Sequence, residues 1–259
     1  SATPNDSAFT GEKLWGLRNT GQNGGTAGID IGAVAAWDKT TGSTNVIVAV
    51  IDTGVRYTHQ DLAAQMWKNP GEIAGNGIDD DGDGYVDNIY GIDAWDDDGD
   101  PMDPETSGHG THCAGTIGAA ANDGNPHVGV AWQVQIMACR FLGPNYGTTS
   151  GAIACIDWAV SKGAKILSNS WGGGGPSTAL YDSIAAARDN GVIFIAAAGN
   201  DNEDTDANPH YPSSYDLANI ISVAAIDRNG NRAWFSNYGS TTVDLGAPGV
   251  SIYSSISTS

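Results

Sequence analysis

The run VIVAVI at residues 46–51, closed by Asp52-Thr53-Gly54, restricts the fold more than any other stretch. Six consecutive apolar residues, mostly β-branched, suit a strand covered on both faces, and hence a parallel sheet buried between layers. Similar short apolar segments recur at 134–142, 164–170, 192–198 and 220–226. Helical patterns lie between them. The segment 109–121 is rich in small residues. In 150–162, Ile153, Ile156 and Val160 share one face and Gly163 suits the stop, while Gly191 closes 179–190. Strand and helix alternate, so the expected fold is α/β, a doubly wound, mainly parallel sheet with helices on both faces. No internal repeat and no Pro/Ser linker divides the chain, and 1–259 reads as one domain. In such sheets active groups gather at the C-terminal ends of strands. That rule singles out Asp52, the pair Ser170 and Trp171, and Asn200.

Charge narrows the partners. Lys plus Arg number 11 against 30 Asp plus Glu, a net charge of −19, and the pI is near 4.2. Phosphate and anionic lipid are bound by clustered cations, so neither nucleic acid nor a membrane is an expected partner. No apolar run approaches the roughly 18 residues of a membrane span. The N-terminal SATPNDSAF has no starting Met, basic stretch or apolar stretch, and reads as a processed start. Three cysteines, Cys113, Cys139 and Cys155, do not make a disulfide framework.

The negative charge is concentrated. Eleven Asp and one Glu fall from Asp79 to Glu105, and no Lys or Arg occurs between Lys68 and Arg140. Such a block is ordinarily a solvated loop. Interleaved mid-chain with Gly, Tyr, Trp and Ile, it asks for a cation to offset the repulsion. Asp79, Asp81 and Asp83 alternate as at the start of an EF-hand-type loop, with Gly84 for the turn. The Tyr85 carbonyl and Asp87 would add ligands. Tyr90 stands where an EF-hand has its final Glu, so no true EF-hand is implied. Asp93, Asp96, Asp98 and Asp100 form a second cluster. All-oxygen ligands in a flexible loop favour Ca2+ over Mg2+.

Taken singly, the remaining motifs have ordinary readings. Asp52 could cap the next turn, His109 could cap a helix or bind a metal, and Gly199-Asn200 could be only a turn. The HGTH segment also lacks the glutamate of a zinc-hydrolase helix. Together, VAVIDTG with Asp52, HGTHCAGT with His109, SNSWGG at 168–173, AAAGN ending at Asn200 and APGVSI at 247–252 resemble the subtilisin-like serine proteases, the subtilases, in the family's order. The Cys after HGTH and the long loop between Asp52 and His109 are most similar to the thermitase-type, calcium-rich branch.

The resemblance implies a reaction and its parts. Asp52 would orient and support the imidazolium of His109. His109 would act as base toward a serine and then as acid toward the leaving amine. The Asn200 amide would donate to the oxyanion. Tyr146, Gly147, Ser170, Trp171, Gly172 and Gly199 would contact an extended peptide added as a strand. A third calcium site would use Asp61 and the loop around Asn122, giving two or three ions. A propeptide, secretion, and protein or peptide substrates are also implied. His210 would fall near the base of the primary pocket. With the acidic stretch 201–206 beside it, a basic P1 residue stays open against a default of broad or apolar-aromatic preference. Cys113 reads as a small buried hydrophobe or as a mercurial-sensitive thiol near the site.

One part of the family pattern is missing. The nucleophile of the family lies in a Gly-Thr-Ser-Met-Ala type motif well after APG, and here eleven residues follow Pro248. The ending Ser257-Thr258-Ser259 echoes it without the Gly or a following helix, and is not read as the nucleophile. The expectation is a catalytic domain truncated before its nucleophile, with the serine on a C-terminal fragment of the same precursor. The alternative function is a non-catalytic, calcium-binding pseudoprotease fragment that binds peptides or inhibitors.

Overall fold

The apolar run lies inside strand β1, Gly42–Asp52, which starts earlier than the run and ends on Asp52. The computed structural model describes residues 2–104, 106 and 108–257, so Thr258 and Ser259 of the terminal Ser-Thr-Ser lie outside the described residues. Two short helices, α1 (Ser7–Thr10) and α2 (Ala33–Trp37), precede β1. After it come β2 (Gly91–Asp93), α3 (His109–Gly118), β3 (Gln133–Arg140), α4 (Thr149–Ser161), β4 (Ile166–Asn169), α5 (Thr178–Asp189), β5 (Ile193–Ala197), β6 (Ile220–Ile226) and β7 (Leu245–Pro248). Short 3-10 turns occur at Gln22–Gly24 and Ala63–Gln65.

The seven strands form one sheet in the order β2-β3-β1-β4-β5-β6-β7. Every ladder is parallel, for example Val50 with Ala138 and Val48 with Ile166. The strands bury both faces, and the side-chain alternation shows how. Ala49, Ile51, Met137, Cys139, Leu167 and Phe194 pack under Ile156 and Trp158 of α4 and Leu180 and Ile184 of α5. Val48, Val50, Ile136 and Ala138 pack on the opposite face with Ala114 of α3, Leu62 and Met66. A third cluster, with Phe9, Leu14, Leu17, Trp37 and Val128, docks the N-terminal segment. Among the described residues no helix is long and apolar enough to cross a membrane.

Local chemistry sets the helix ends. Thr148 Oγ1 accepts from Gly151 N at 3.0 Å and Ser177 Oγ from Leu180 N at 3.2 Å, caps worth about 1 kcal/mol each. Gly163 and Gly191 follow α4 and α5 with positive φ and return N–H bonds to Val160 O and Arg188 O. Helix α3 stops at Gly118 and not at 121, because the chain turns extended at Ala119. Ala120 N then bonds Asp61 O, and Gly129 N bonds Ala119 O.

Candidate active site

Because all strands run the same way, their C-terminal ends share one rim. Asp52 ends β1 there with 1% exposure. Its Oδ1 accepts from its neighbour Thr53 N at 2.7 Å and from His109 Nδ1 at 2.7 Å. The approach depends on glycine. A Cβ on Gly110 would stand 2.0 Å from Gly54 O, so only glycine lets the first turn of α3 press against the end of β1. With Nδ1 donating to Asp52, the neutral His109 ring keeps its lone pair on Nε2, on a side chain half exposed to solvent. The Asp52 hydrogen bond raises the His109 pKa; burial opposes it, and the Asp52 and Asp103 charges add to it.

Asp103 belongs to this arrangement and carries no sequence signal that separates it from the acidic run around it. It is 2% exposed. It accepts from Thr53 Oγ1 (3.0 Å), Thr111 N (3.0 Å), Thr111 Oγ1 (2.6 Å) and Gly108 N (3.3 Å). Thr53 Oγ1 in turn accepts from Gly110 N at 2.9 Å. These bonds lock the start of α3, and with it His109, onto the β1 end. Burial raises the Asp103 pKa against the pull of those donors.

Asn200 follows β5 and exposes its side chain. The turn beneath it is held by buried Asn237, a residue no motif pointed to. Asn237 Nδ2 donates to Ala198 O at 2.9 Å, and its Oδ1 accepts from Asp201 N and Glu203 N at 2.9 and 3.0 Å. Gly199, at φ +105, has no room for a Cβ, which would meet Asn237 Nδ2 at 2.3 Å. Asn200, Gly199, Ser170 and Cys113 line one cleft of about 420 Å³. His112 turns away from Asp52, its Nε2 bonding Ile252 O at 3.1 Å. Cys113 is half-buried, with Sγ 3.6 Å from Ser170 Oγ, and burial pushes its thiol up to about 12. All three thiols are free.

The two segments expected to hold a peptide face each other. Gly147 lies opposite Trp171 and Gly172 across a second cleft of about 110 Å³. On one side Leu142 bridges Gly147 and Gly143 N bonds Tyr146 O at 2.9 Å. Tyr146 is exposed and meets Trp95 edge-on with centroids 5.0 Å apart. On the other side Trp171 packs edge-on against Phe141 and Phe194.

The acidic residues are arranged differently from the ligand sets read in the sequence. Asp79 accepts from the Gly82, Asp83 and Gly84 amides, and Asp87 from those of Gly75, Asn76 and Gly77. Asp83 is engaged by Trp158 Nε1 at 2.7 Å, Asn88 Nδ2 at 2.9 Å and Lys162 Nζ at 2.9 Å. Lys162 also meets Asp81 at 2.5 Å. Among the described residues the oxygens that do converge within 4.8 Å are those of Glu72, Asp79 and Asp81. Glu72 was not legible as a member, because it sits seven residues ahead of the Asp run. Its Oε2 is buried without a hydrogen-bond partner. Tyr85 packs against the sheet core. In the second cluster the cation is a side chain: Arg140, at the end of β3, pairs with Asp93 and, at 2.7 Å, with Asp96. Asp98 turns to Asp100 N and Asp100 accepts from Tyr57 Oη at 2.9 Å, so these four carboxylates do not converge.

Asp61 lies elsewhere, 3% exposed, with Oδ2 3.3 Å from Ser255 Oγ and Oδ1 buried without a partner. Burial, with the charges of Asp123 and Asp6, pushes its pKa up to about 6. Asp6, also buried, accepts from Asn122 N at 3.0 Å.

Comparison with known proteins agrees with the fold. Residues 43–259 match the model of the subtilase family. The chain is 38% identical over 98% of its length to a thermophilic serine proteinase of Bacillus sp. strain AK1, covering 53% of that protein. It is 37% identical over 88% of its length to thermitase of Thermoactinomyces vulgaris, covering 71% of it. A solved protease of Pseudoalteromonas arctica PAMC 21717 superposes with a TM-score of 0.72 at 32% identity, over 96% of this chain and 73% of that one. The chain thus spans about half the length of the Bacillus relative.

Proposed function

We propose, since the chain belongs to the subtilase family, that it supplies the acid, base and oxyanion-binding parts of a secreted serine endopeptidase. The observation that carries this reading is the 2.7 Å bond from His109 Nδ1 to buried Asp52 at the sheet rim. That bond leaves Nε2 as the base. It takes the proton of an attacking serine, and the Asp52 carboxylate holds the ring and offsets the charge that forms. The proton then passes to the leaving amine. The exposed Asn200 amide donates to the oxyanion of the tetrahedral intermediate, a contribution of about 3–4 kcal/mol, for which a subtilisin is the reference case. The polypeptide substrate lies extended between the Tyr146–Gly147 and Ser170–Gly172 edges, with Gly199 beside it.

Among the described residues His109 makes one side-chain hydrogen bond, to Asp52, and none to an alcohol. The nucleophile is assigned to a C-terminal fragment of the same precursor, with a propeptide that keeps it a zymogen. Calcium is assigned to two places that fit it. Asp61, with its unpartnered buried oxygen, would hold an ion with Asp6 and Asn122, and Glu72, Asp79 and Asp81 would hold another. Bound ions would stabilise the fold by mass action. The test uses a polypeptide extended past residue 259. Peptide hydrolysis abolished by a serine-directed reagent is expected, and hydrolysis indifferent to that reagent overturns the assignment. An extended polypeptide that binds peptides without cleaving them would instead establish the non-catalytic alternative.

A further inference from the structure

We propose that Cys139 and Cys155 are an oxidisable pair, closing into a disulfide that joins β3 to α4 and fastens both ends of the segment carrying the Tyr146–Gly147 edge. The bond goes beyond the peptidase reading and does not depend on it. The sheet sorts the three thiols. Cys139 lies in β3 between Ile51 of β1 and Ile92 of β2, and with Ile51 and Met137 it packs on the face beneath α4. Cys155 belongs to the buried side of α4 with Ala152, Ile156 and Ala159, in the same cluster. Cys113, on α3, packs on the opposite face against the cluster of Val50 and Ala138. A side chain does not cross a close-packed sheet, so the fold leaves one pairing.

The two side chains meet in the core. Cys155 Sγ lies 3.7 Å from the carbonyl of Arg140, the residue after Cys139, and the two thiols share a hydrogen bond. Both residues are fully buried. Burial, with the Cys139 thiol beside it, holds the Cys155 thiol well above its ordinary pKa. A thiol kept protonated and out of solvent is a poor nucleophile, so the closed core resists oxidation. The bond forms while the chain folds, before α4 settles on β3. One cysteine thiolate attacks a sulfur of a small disulfide such as oxidised glutathione and expels a glutathione thiolate. The second cysteine thiolate attacks the mixed disulfide and expels the other. Two cysteine thiols and one small disulfide thus become one protein disulfide and two small thiols, which take up the two protons. Secretion, as proposed above, places the chain where such a bond persists.

The position gives the bond its consequence. The enclosed segment begins at Arg140, the partner of Asp93 and Asp96. It passes through the Leu142–Gly147 bridge to Thr148, which caps α4. Linking its two ends removes freedom from the unfolded chain and holds this wall of the cleft to the core. A pair of buried cysteines acting only as small hydrophobes would stay reduced and add no such constraint.

The test refolds the chain with oxidised and reduced glutathione, checks refolding by circular dichroism, then denatures, alkylates and digests it without reductant. A peptide linking Cys139 to Cys155 is expected, with Cys113 outside the bond. Dithiothreitol before alkylation should convert this to three alkylated cysteines. The unreduced chain should melt about 5–10 °C above the reduced one. Cys155→Ala should erase that difference, and Cys113→Ala should keep it. A refolded chain with Cys139 and Cys155 both alkylated, or a bond that includes Cys113, overturns the proposal. A Cys139–Cys155 bond with no effect on the melt overturns its fastening role.

Discussion

Carboxylates build both the sheet rim and the acidic loop, and the two regions use them in opposite ways. At the rim, Asp52 and Asp103 are almost fully buried and their donors come from fixed elements: His109 and Thr111 on α3, and Thr53 at the end of β1. In the loop, Asp79 and Asp87 fold the chain around themselves through backbone amides. Asp81, Asp83, Asp93 and Asp96 take their countercharge from Lys162 and Arg140. A carboxylate on a strand end is placed by the sheet and can position another group. A carboxylate in a loop must first organise its own backbone, and spacing alone does not say which oxygens will meet.

The largest test of this contrast is Asp52→Asn in a catalytically complete polypeptide. The amide keeps the geometry and favours the wrong tautomer, so kcat should fall about 10⁴-fold with the circular dichroism unchanged. A loss under tenfold would put Asp52 among the loop-type carboxylates. Next comes Arg140→Met, which strands Asp93 as a buried unpaired charge. A loss of about 3–5 kcal/mol in urea unfolding is expected, with Asp93→Asn restoring much of it. No loss would mean that the second cluster does not depend on its arginine.

The third test is pH. The Asp61 pKa is raised to about 6 in the folded state. The unfolded carboxyl ionises near 4, so between those values the folded protein holds the extra proton. Metal-free protein should therefore lose stability as pH rises from about 4 to about 6, by up to about 1.4 kcal/mol per unit, with no further loss from this group above. Saturating calcium or Asp61→Asn should flatten the slope, and a wild-type melt insensitive to both pH and chelator would remove Asp61 from the metal reading. The smallest effect is expected from Lys162→Met, about 1 kcal/mol, because Trp158 and Asn88 still hold Asp83. It should also tighten calcium at Glu72, Asp79 and Asp81, since a competing cation is gone. Weaker calcium binding would show that Lys162 orders that site.

The central strands and the two long helices were legible because burial on both faces leaves an unbroken apolar signature, and helix ends carry Thr, Ser and Gly where the backbone needs them. Strands β2 and β7 were not, since Gly91–Asp93 and Leu245–Pro248 are short, contain Gly or Pro and sit at the sheet edges. Asp52 and His109 stood out through the motifs around them, and the structure brings them into contact. Asp103, Asn237, Glu72 and Asp6 did not stand out, because what distinguishes them is burial and partners contributed by distant segments. The alternating Asp pattern suggested convergent ligands, whereas Asp83, Asp93 and Asp96 are drawn instead to basic side chains far along the chain.

The strand order has a kinetic corollary. β1 is an interior strand, third of the seven, yet its neighbours are β3 and β4, so Val48 must await both Ile136 and Ile166. A ribosome therefore exposes the longest strand, with its VIVAVI run, long before anything can pair with it, and a glycine- and aspartate-rich stretch must be closed into a loop first. That closure is an entropic toll collected ahead of any reward. Such a chain is expected to fold slowly and, once folded, to owe its persistence as much to a high barrier as to a deep minimum.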